Sequence, residues 1–426
     1  MMHQTDDFSF DQVTKVEGHA SLDIQVRNGK VKNVQFRIDE NKRFYTQALR
    51  GKNALNLHQM TSRICGTCSI AHMTCCVEAV EKALGVVPSE QTKLLRSLSM
   101  HSLMIRDHAL HLYFFCLPDI FGVDSILELA GKEPDLVHEA LHVKEAGNLL
   151  SKTVAGRAVH PLYYRIGGFL KVPKREEIKK ALKELRHSRE YALRMIDVFL
   201  KCDFELNRDT TFIGLVSKNY NYTDGHIESS KGLCVPKQSY WNYLNRMVIP
   251  YSQATGFMFK GEEYMVSALS RMNLNKENLH KKTRKDARKA LSVFPSKNIF
   301  HNNLAQAIEI VHSIDTAIDV LETRDFKQEK QSNVKPRAGE GIGVIEAPRG
   351  TLYYMVSVND KGNVVWGNII TPTQQNQIKI ERDIANYLPE ILNLSRKEIR
   401  HEIEKVVRAY DPCLSCASHF LRLNWV

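Results

Sequence analysis

Long apolar runs are missing from this 426-residue chain, and none approaches the roughly 20 residues that a membrane-spanning helix needs. The polar start MMHQTDDFSFDQ does not resemble a signal peptide, and no internal repeat or low-complexity tract occurs. With 43% hydrophobic and 25% charged residues, the composition also excludes a disordered chain. The sequence therefore predicts a globular protein that is long enough for two or three packed substructures.

Acidic residues are too few to balance the basic ones, because 48 Asp and Glu against 59 Lys and Arg leave a net charge of +11. Such a surface suits acidic partners or nucleic acid. The densest basic stretch, Lys276 to Lys289, contains no aromatic residue, which weakens a role in stacking on single strands. We interpret this stretch as a solvated helix face or loop.

The hydrophobic pattern predicts an α+β fold that is mainly helical, with a bundle of long helices and small antiparallel sheets near both ends. Alternating residues at 20–26 and 31–36 flank Asn28-Gly29, a hairpin signal. Helices are predicted at 71–84 (ended by Gly85), 89–117 (capped by Ser89 and stopped by Pro118), 136–152, 174–202, 298–324, 375–388 and 395–409. A loop is predicted at 324–343 and a second hairpin at 351–358 and 363–367. We divide the chain into an N-terminal hairpin region (1–60), a helical core (61–325) and a C-terminal hairpin with helices (326–426).

Nine cysteines, an odd number in a large chain, disfavour a disulfide framework and favour metal-binding or catalytic thiols in a reducing compartment. Four of them form two C-x-x-C pairs, Cys65/Cys68 and Cys413/Cys416, roughly 345 residues apart. From spacing alone, structural zinc is the commonest use of two such pairs, and an iron–sulfur cluster is another candidate. A site built from distant segments is more typical of catalysis. The remaining five (Cys75, Cys76, Cys116, Cys202 and Cys234) are interpreted as buried small hydrophobic residues.

Several motifs in the same order resemble those of the large subunit of nickel–iron hydrogenases. The two cysteine pairs stand in the segments RICGTC and DPCLSC, followed by His72 and His419. Between and before them occur VEGH at 16–19, HLY at 111–113, GRAVHP at 156–161, EAPRG at 346–350 and PT at 372–373. The resemblance covers nearly the whole chain, from about residue 14 to residue 419.

This resemblance implies a centre of nickel and iron in which Cys65 and Cys413 are terminal ligands of nickel and Cys68 and Cys416 bridge to an iron carrying carbon monoxide and cyanide. Soft thiolates suit these metals. His419 would help to hold a magnesium or second iron. Thr46 stands where relatives carry the glutamate that completes this second site, which argues against the second metal here.

The implied reaction is the reversible heterolytic cleavage of H2 to protons and electrons, in which the proton needs a nearby base. Cys413 is the first candidate for this base, and Glu17 would then carry the proton away. Arg349 would lie over the open metal position, held by the carboxylates of Asp119 and Asp411.

Three further residues would shape the surroundings of the metals. Pro348 would lie next to Arg349 over the open metal position. Thr373 would donate a hydrogen bond from its hydroxyl to a cyanide, and His72 would donate one to a bridging thiolate. His111, on a long helix, is interpreted as a core residue rather than a ligand.

The resemblance also implies partners, because this chain has no iron–sulfur motif of its own. An iron–sulfur small subunit would take the electrons, further electron-transfer subunits could join it, and maturation proteins would deliver the metals. A cytoplasmic location is expected, with co-export to the periplasmic side on a partner as the alternative. Competing interpretations are a hydrogen-sensing regulatory hydrogenase and a non-enzymatic structural-zinc protein. The related subunit of proton-pumping quinone oxidoreductases is disfavoured because it lacks the four thiol ligands.

Overall fold

The computed structural model describes residues 5–39 and 45–418, and within these ranges helices dominate and the strands form small sheets. The predicted α+β, mainly helical fold is therefore confirmed. His419 and the residues after it lie outside the described part of the chain. Among the described helices, none is both long and apolar enough to cross a membrane.

An antiparallel sheet of three strands begins the fold: β1 (Thr5–Phe10), β2 (Ala20–Arg27) and β3 (Lys30–Ile38), in that order. The turn between β2 and β3 places Asn28 at a φ of 53° and Gly29 at 68°. Both residues thus adopt the left-handed conformation that a type I′ hairpin turn requires, and the Asn-Gly prediction is confirmed.

Helices make up the next part of the chain. They are α1 (Tyr45–Ala48), α2 (Leu57–Thr61), α3 (Ser69–Leu84), α4 (Glu90–Ala109), α5 (Leu117–Ile120), α6 (Ile126–Lys132), α7 (Pro134–Ala155) and α8 (Arg175–Leu200), with β4 (Tyr164–Arg165) and β5 (Gly168–Phe169) between the last two. Ser89 caps α4 as predicted, because its side chain accepts the N–H of Thr92. The predicted stop at Pro118 is wrong. A π-helical segment, Leu110–Cys116, leads directly into α5, where Pro118 occupies the first turn and needs no N–H partner.

A group of short strands follows that the sequence did not predict. They are β6 (Thr211–Val216), β7 (His226–Ser229), β8 (Cys234–Pro236), β9 (Leu244–Val248), β10 (Thr255–Phe259) and β11 (Tyr264–Val266). Four of them form a sheet in the order β11-β6-β7-β8, in which only β11 and β6 run parallel, and β9 pairs with β10.

The helices α9 (Ala268–Asn275), α10 (Lys281–Asp286), α11 (Arg288–Leu291) and α12 (His301–Thr323) come next. The basic stretch 276–289 is largely exposed, which agrees with its interpretation as a solvated helix face or loop. The long helices α4, α7, α8 and α12 form a bundle in which each packs against two of the others. This bundle confirms the prediction of long packed helices.

The last part contains β12 (Gly339–Ala347), β13 (Gly350–Val358), β14 (Val364–Ile370), α13 (Pro372–Ile391), α14 (Arg396–Ala409) and α15 (Leu414–Ala417). The predicted loop ends earlier than expected, because β12 already begins at Gly339 and pairs with β13. The division into three segments remains a prediction, and one hydrophobic cluster includes Leu22, Leu103 and Ile380, one from each segment.

Glycines on β12 let α3 lie directly on this strand. A Cβ on Gly341 would come within 1.9 Å of the Ala79 carbonyl oxygen, and one on Gly343 within 2.2 Å of the Cys75 oxygen. Because α3 starts just after Cys68 and β12 ends at the turn before Arg349, this close packing brings the first cysteine pair near that turn.

Candidate metal centre

The two C-x-x-C segments are held together by hydrogen bonds with the N-terminal part of the chain. The N–H of Leu414 donates to the Glu17 carbonyl oxygen at 2.8 Å. The hydroxyl of Tyr45 lies within hydrogen-bond distance of two carbonyl oxygens, that of Ile64 at 3.2 Å and that of Ser415 at 3.4 Å. Three segments that are far apart in sequence thus converge on one place.

All four cysteines of the two pairs meet there. The Sγ atoms of Cys65 and Cys413 are 3.4 Å apart, and those of Cys68 and Cys416 are 3.2 Å apart. The Sγ atoms of Cys413 and Cys416 are 3.0 Å apart, and all four lie within 4.8 Å of one another. Each of the four residues is buried. The predicted convergence of the distant pairs is therefore what the structure shows.

The electrostatics of the four thiols depend on burial and on one another. Hydrogen bonds from the thiols of Cys413, Cys416 and Cys68 hold the pKa of Cys65 well below its usual range. Burial raises the pKa of Cys413 and of Cys416 well above theirs. A bound cation would lower the pKa values of these thiols again, because a metal ion stabilises the thiolate form of its ligands.

Glu17 is in contact with this cluster rather than on an exposed strand. Its Oε2 accepts a hydrogen bond of 2.9 Å from the Cys413 thiol, and its Oε1 lies 3.9 Å from Cys65 Sγ. Burial, together with the negative charge of Cys65, raises the pKa of the Glu17 carboxyl. The carboxyl group can therefore exchange a proton with the sulfur of Cys413 directly.

Arg349 lies beside the cluster and is held by two buried carboxylates. Its Nη1 donates to Asp107 Oδ2 at 2.8 Å, and its Nη2 donates to Asp411 Oδ1 at 3.0 Å. Burial alone would disfavour the guanidinium charge, but these two carboxylates outweigh it and raise the pKa of Arg349. Among the described residues its buried Nε has no hydrogen-bond partner.

The predicted contact between Asp119 and Arg349 is wrong. Asp119 instead receives two hydrogen bonds from Arg408, at 2.6 and 3.0 Å, and an ion pair of 2.6 Å from Lys15. The reason is its position on α5, beyond the π-helical segment, where it faces α14 and the N-terminal residues. Asp107, on α4, occupies the place that the sequence analysis had assigned to Asp119.

The remaining predicted residues lie around a small cavity next to the sulfur atoms. Nε2 of His72 is 3.5 Å from Cys416 Sγ, and its Nδ1 contacts the Tyr354 hydroxyl at 2.7 Å. The Thr373 hydroxyl oxygen accepts the N–H of Cys413 at 2.9 Å, which leaves its own proton free to donate. Pro348, Arg349 and Thr373 line the cavity together with Cys68, Cys413 and Cys416.

Sequence reasoning missed three residues that support this arrangement. Asp107 and Arg106 lie in α4, where Arg106 Nη2 donates to the Thr67 carbonyl oxygen at 2.6 Å, between the first two cysteines. Arg271 donates to the carbonyl oxygens of Ala347 and Pro348 and so fixes the turn before Arg349. For Arg106 and Asp107 the available signal was the charged triplet RDH at 106–108, which lies in the buried C-terminal half of α4.

The other cysteines and His111 follow their predictions only in part. Cys75, Cys76 and Cys116 are buried as expected, but Cys202 is half-buried and Cys234 is exposed, so the prediction is wrong for these two. His111 is a satisfied core residue, as predicted. Its two ring nitrogens contact the Gln306 side chain at 2.6 Å and the Arg408 carbonyl oxygen at 2.8 Å.

Comparisons with known proteins agree with this geometry. A family model described as nickel-dependent hydrogenase matches residues 43–169 and 243–419. Sulfhydrogenase 1 subunit alpha of Pyrococcus furiosus is 33% identical over 97% of this chain and 98% of its own length. Sulfhydrogenase 2 subunit alpha of the same organism is 30% identical over 97% and 99%. A crystal structure of an NAD+-reducing NiFe hydrogenase in the H2-reduced state superposes with a TM-score of 0.86 at 23% identity, covering 97% of this chain and 99% of that one.

The matched residues include both cysteine pairs, and the two sulfhydrogenase subunits align along nearly the full chain. The buried cluster of four thiols offers the ligand set and the spacing to hold a metal ion. The chain therefore belongs to the nickel-dependent hydrogenase family, whose members are oxidoreductases acting on H2.

Proposed function

We propose that Cys65, Cys68, Cys413 and Cys416 hold a nickel and an iron at which this hydrogenase subunit cleaves H2 reversibly. The observation that carries the proposal is the meeting of four buried thiols within 4.8 Å of one another. Buried cysteines without a metal or disulfide have no need to converge in this way. Four soft sulfur donors, with no carboxylate or carbonyl oxygen among them, suit nickel and iron rather than magnesium or calcium.

The surroundings of the four sulfurs support the assignment of Cys68 and Cys416 to the iron. Both residues line the cavity that Pro348, Arg349 and Thr373 also border. Cys413 lines it as well, whereas Cys65 does not. The cavity is small and is lined by hydrogen-bond donors, which suits small ligands such as carbon monoxide and cyanide. The unpartnered Nε of Arg349 and the hydroxyl of Thr373 are two groups that could donate to cyanide nitrogens.

A second metal near His419 receives less support from the chain. His419 lies outside the described residues. Thr46, on α1, supplies a hydroxyl at the position where nickel–iron hydrogenases, by the resemblance, carry a glutamate carboxylate. A hydroxyl is a much weaker ligand for magnesium or iron than a carboxylate. We therefore propose the nickel and the iron, without a second metal at His419, as the metals of the buried centre.

When bound, the two metals supply the heterolytic splitting of H2 and accept its electrons. The chain's own residues then handle the proton. The sulfur of Cys413 is within 2.9 Å of Glu17 Oε2, so a proton on this sulfur passes to the carboxylate without an intervening water. Burial raises the pKa of Glu17, which favours a carboxyl group that takes up the proton and then passes it on.

Arg349 contributes a fixed positive charge beside the reacting centre. Its two carboxylate partners prevent rotation of the guanidinium group and keep it charged although it is buried. A preoriented cation in a water-poor site stabilises developing negative charge strongly. We therefore assign to Arg349 the stabilisation of charge over the metals, and to Asp107 and Asp411 the positioning of Arg349.

Partners are needed because electrons must leave a buried site. Beyond its two pairs, the only closely spaced cysteines of the chain are the adjacent Cys75 and Cys76, too few to hold an iron–sulfur cluster. We therefore propose an iron–sulfur small subunit as the acceptor, with further electron-transfer subunits behind it. Maturation proteins would insert the metals, because both ends of the chain must close around them. We place the assembly in the cytoplasm, where free thiols such as the nine of this chain persist.

The experiment compares Cys68→Ser with Cys76→Ala, a buried cysteine on α3 outside the cluster. The purified complex of each is assayed for H2 uptake and for nickel and iron content. We expect Cys68→Ser to lose both activity and iron, and Cys76→Ala to retain both. Full activity of Cys68→Ser would overturn the proposal. A wild-type complex that contains zinc in place of nickel and takes up no H2 would favour the structural-zinc interpretation.

A further inference from the structure

We propose that His226, Glu228 and Cys234 form a surface zinc site that is independent of the buried centre. Their ligand atoms lie within 4.8 Å of one another. Imidazole nitrogen, carboxylate oxygen and thiolate sulfur are the three ligand types that proteins use for zinc. The ligand atoms of a tetrahedral zinc lie about 3.5 Å apart, so the three side chains need only small rotations.

The pairing of two short strands places the three residues on one face. His226 and Glu228 are two residues apart on β7 and therefore point to the same side. Cys234 lies on β8 directly opposite Glu228 in the antiparallel register. The other face carries Ile227 and Val235, which are buried in the second hydrophobic cluster of the chain.

The backbone around the three residues is fixed before any metal binds. Ser229 and Leu233 close the turn between the strands, with the Ser229 N–H donating to the Leu233 carbonyl oxygen at 2.9 Å. After β8, the ammonium group of Lys237 binds Glu78 at 2.6 Å and the Val344 carbonyl oxygen at 3.1 Å. A preorganised hairpin of this kind loses little conformational entropy on binding an ion.

The exposure of Cys234 distinguishes it from the other cysteines and fits such a site. It is the only exposed residue among the nine cysteines, all of which lie in the described part of the chain. Cysteine is usually one of the most buried residue types, and an exposed free thiol is a liability. Next to it, His226 Nε2 and Glu228 Oε1 form a pair at 2.7 Å. A zinc ion would occupy the space between these groups and the sulfur.

The site lies in residues 170–242, between the two stretches that the hydrogenase family model matches. It is therefore not a part of the centre that the matched stretches contain. Three protein ligands leave one coordination position for water or for a ligand from another molecule. Because β8 is the edge strand of its sheet, the ion would also tie this edge to β7.

The test measures zinc binding to the purified, metal-loaded complex by equilibrium dialysis against micromolar zinc. The variants are Cys234→Ser and His226→Ala, with His142→Ala as the control, because His142 and His138 form another surface pair with ring nitrogens 3.2 Å apart. Far-UV circular dichroism and zinc-free melting temperatures verify that each variant folds.

We expect one zinc per chain in the wild type and in His142→Ala, and affinities at least about tenfold weaker in the two ligand variants. X-ray absorption at the zinc edge should show a single sulfur neighbour at about 2.3 Å. Equal zinc affinity in Cys234→Ser and the wild type, loss of zinc in His142→Ala alone, or binding only at millimolar zinc would each overturn the proposal.

Discussion

Asp107 and Arg349 are joined by an ion pair of 2.8 Å across 242 positions of sequence, and both side chains are buried beside the four thiols. Asp107 belongs to the long helix α4, whereas Arg349 lies in the turn between β12 and β13. The helical bundle and the C-terminal sheet thus meet at the centre through one charge pair. Without Asp107, the guanidinium group would keep only one of its two carboxylate partners.

Replacing Asp107 by Asn should lower H2 turnover by about tenfold or more while the nickel and iron remain bound. The amide cannot balance the charge of Arg349, so the guanidinium group loses its fixed orientation. H2-dependent dye reduction and metal analysis of the same preparation measure both effects. Turnover equal to that of the wild type would show that Asp107 does not position Arg349.

Asp119→Asn is the matched comparison, because Asp119 was the partner expected from the sequence. It pairs with Arg408 and Lys15 instead, so its loss should lower the melting temperature with less effect on turnover of the folded enzyme. The ratio of turnover to folded protein separates the two variants. A larger loss of turnover in Asp119→Asn than in Asp107→Asn would contradict the geometry described for Arg349.

Glu17→Gln should block proton exchange between the centre and solvent while both metals stay bound. The amide keeps the size of the side chain but cannot take the proton from the Cys413 thiol. General acid–base catalysis typically contributes about 10²–10⁴-fold, and we expect a loss in this range in H/D exchange. Glu340→Gln, which removes an exposed carboxylate, is the control. Unchanged exchange in Glu17→Gln would remove Glu17 from the proton path.

Gly341→Ala should destabilise the protein, because the new Cβ would come within 1.9 Å of the Ala79 carbonyl oxygen. Backbone atoms cannot move aside cheaply, and overpacking of this kind costs about 1–3 kcal/mol or more. Gly131→Ala, on α6 with nothing within 4 Å of its Cβ, should leave the melting temperature unchanged or slightly higher. Equal melting temperatures for the two variants would contradict the close packing of α3 on β12.

His312 should make the fold sensitive to mild acid. Burial lowers its pKa from 6.5 to about 4, and its Nδ1 accepts the N–H of His280 at 3.0 Å, which requires a ring without a proton on this nitrogen. The unfolded chain takes up the proton first, so stability is complete above pH 6.5 and is lost as the pH falls toward 4.

A shift of this size corresponds to about 3 kcal/mol for one group. Urea unfolding at pH 7.5 and at pH 5 measures the loss for the wild type and for His312→Gln. The variant should lose less stability between the two pH values, because its side chain does not titrate. The same loss in both proteins would show that His312 does not contribute to the acid sensitivity.

The sequence was sufficient to predict turns and helix ends that depend only on neighbouring residues. The Asn28-Gly29 turn, the cap at Ser89 and the end of α3 at Gly85 all depend on neighbouring residues, and each was predicted correctly. The short strands β6–β11 were missed because runs of three to six residues carry little periodicity and the pairing of β11 with β6 is parallel and distant.

In the candidate site, too, features set by local motifs were predicted and features set by tertiary packing were not. The four thiols could be identified from two specific motifs, but the partner of Arg349 could not, because the contact with Asp107 depends on how α4 packs against the C-terminal sheet. Asp119 was chosen from its motif and faces the other way, toward Arg408. The exposure of Cys234 likewise depends on which face of β8 it occupies, and nothing in the sequence specified this face.

Infrared spectroscopy of the purified complex tests the central assignment most directly, because nickel and iron held by Cys65, Cys68, Cys413 and Cys416 imply an iron with carbon monoxide and cyanide. The assignment predicts absorption bands of bound carbonyl and cyanide groups that shift under H2 and are absent from Cys68→Ser. A spectrum without such bands, from a complex that contains zinc and no nickel, would contradict it.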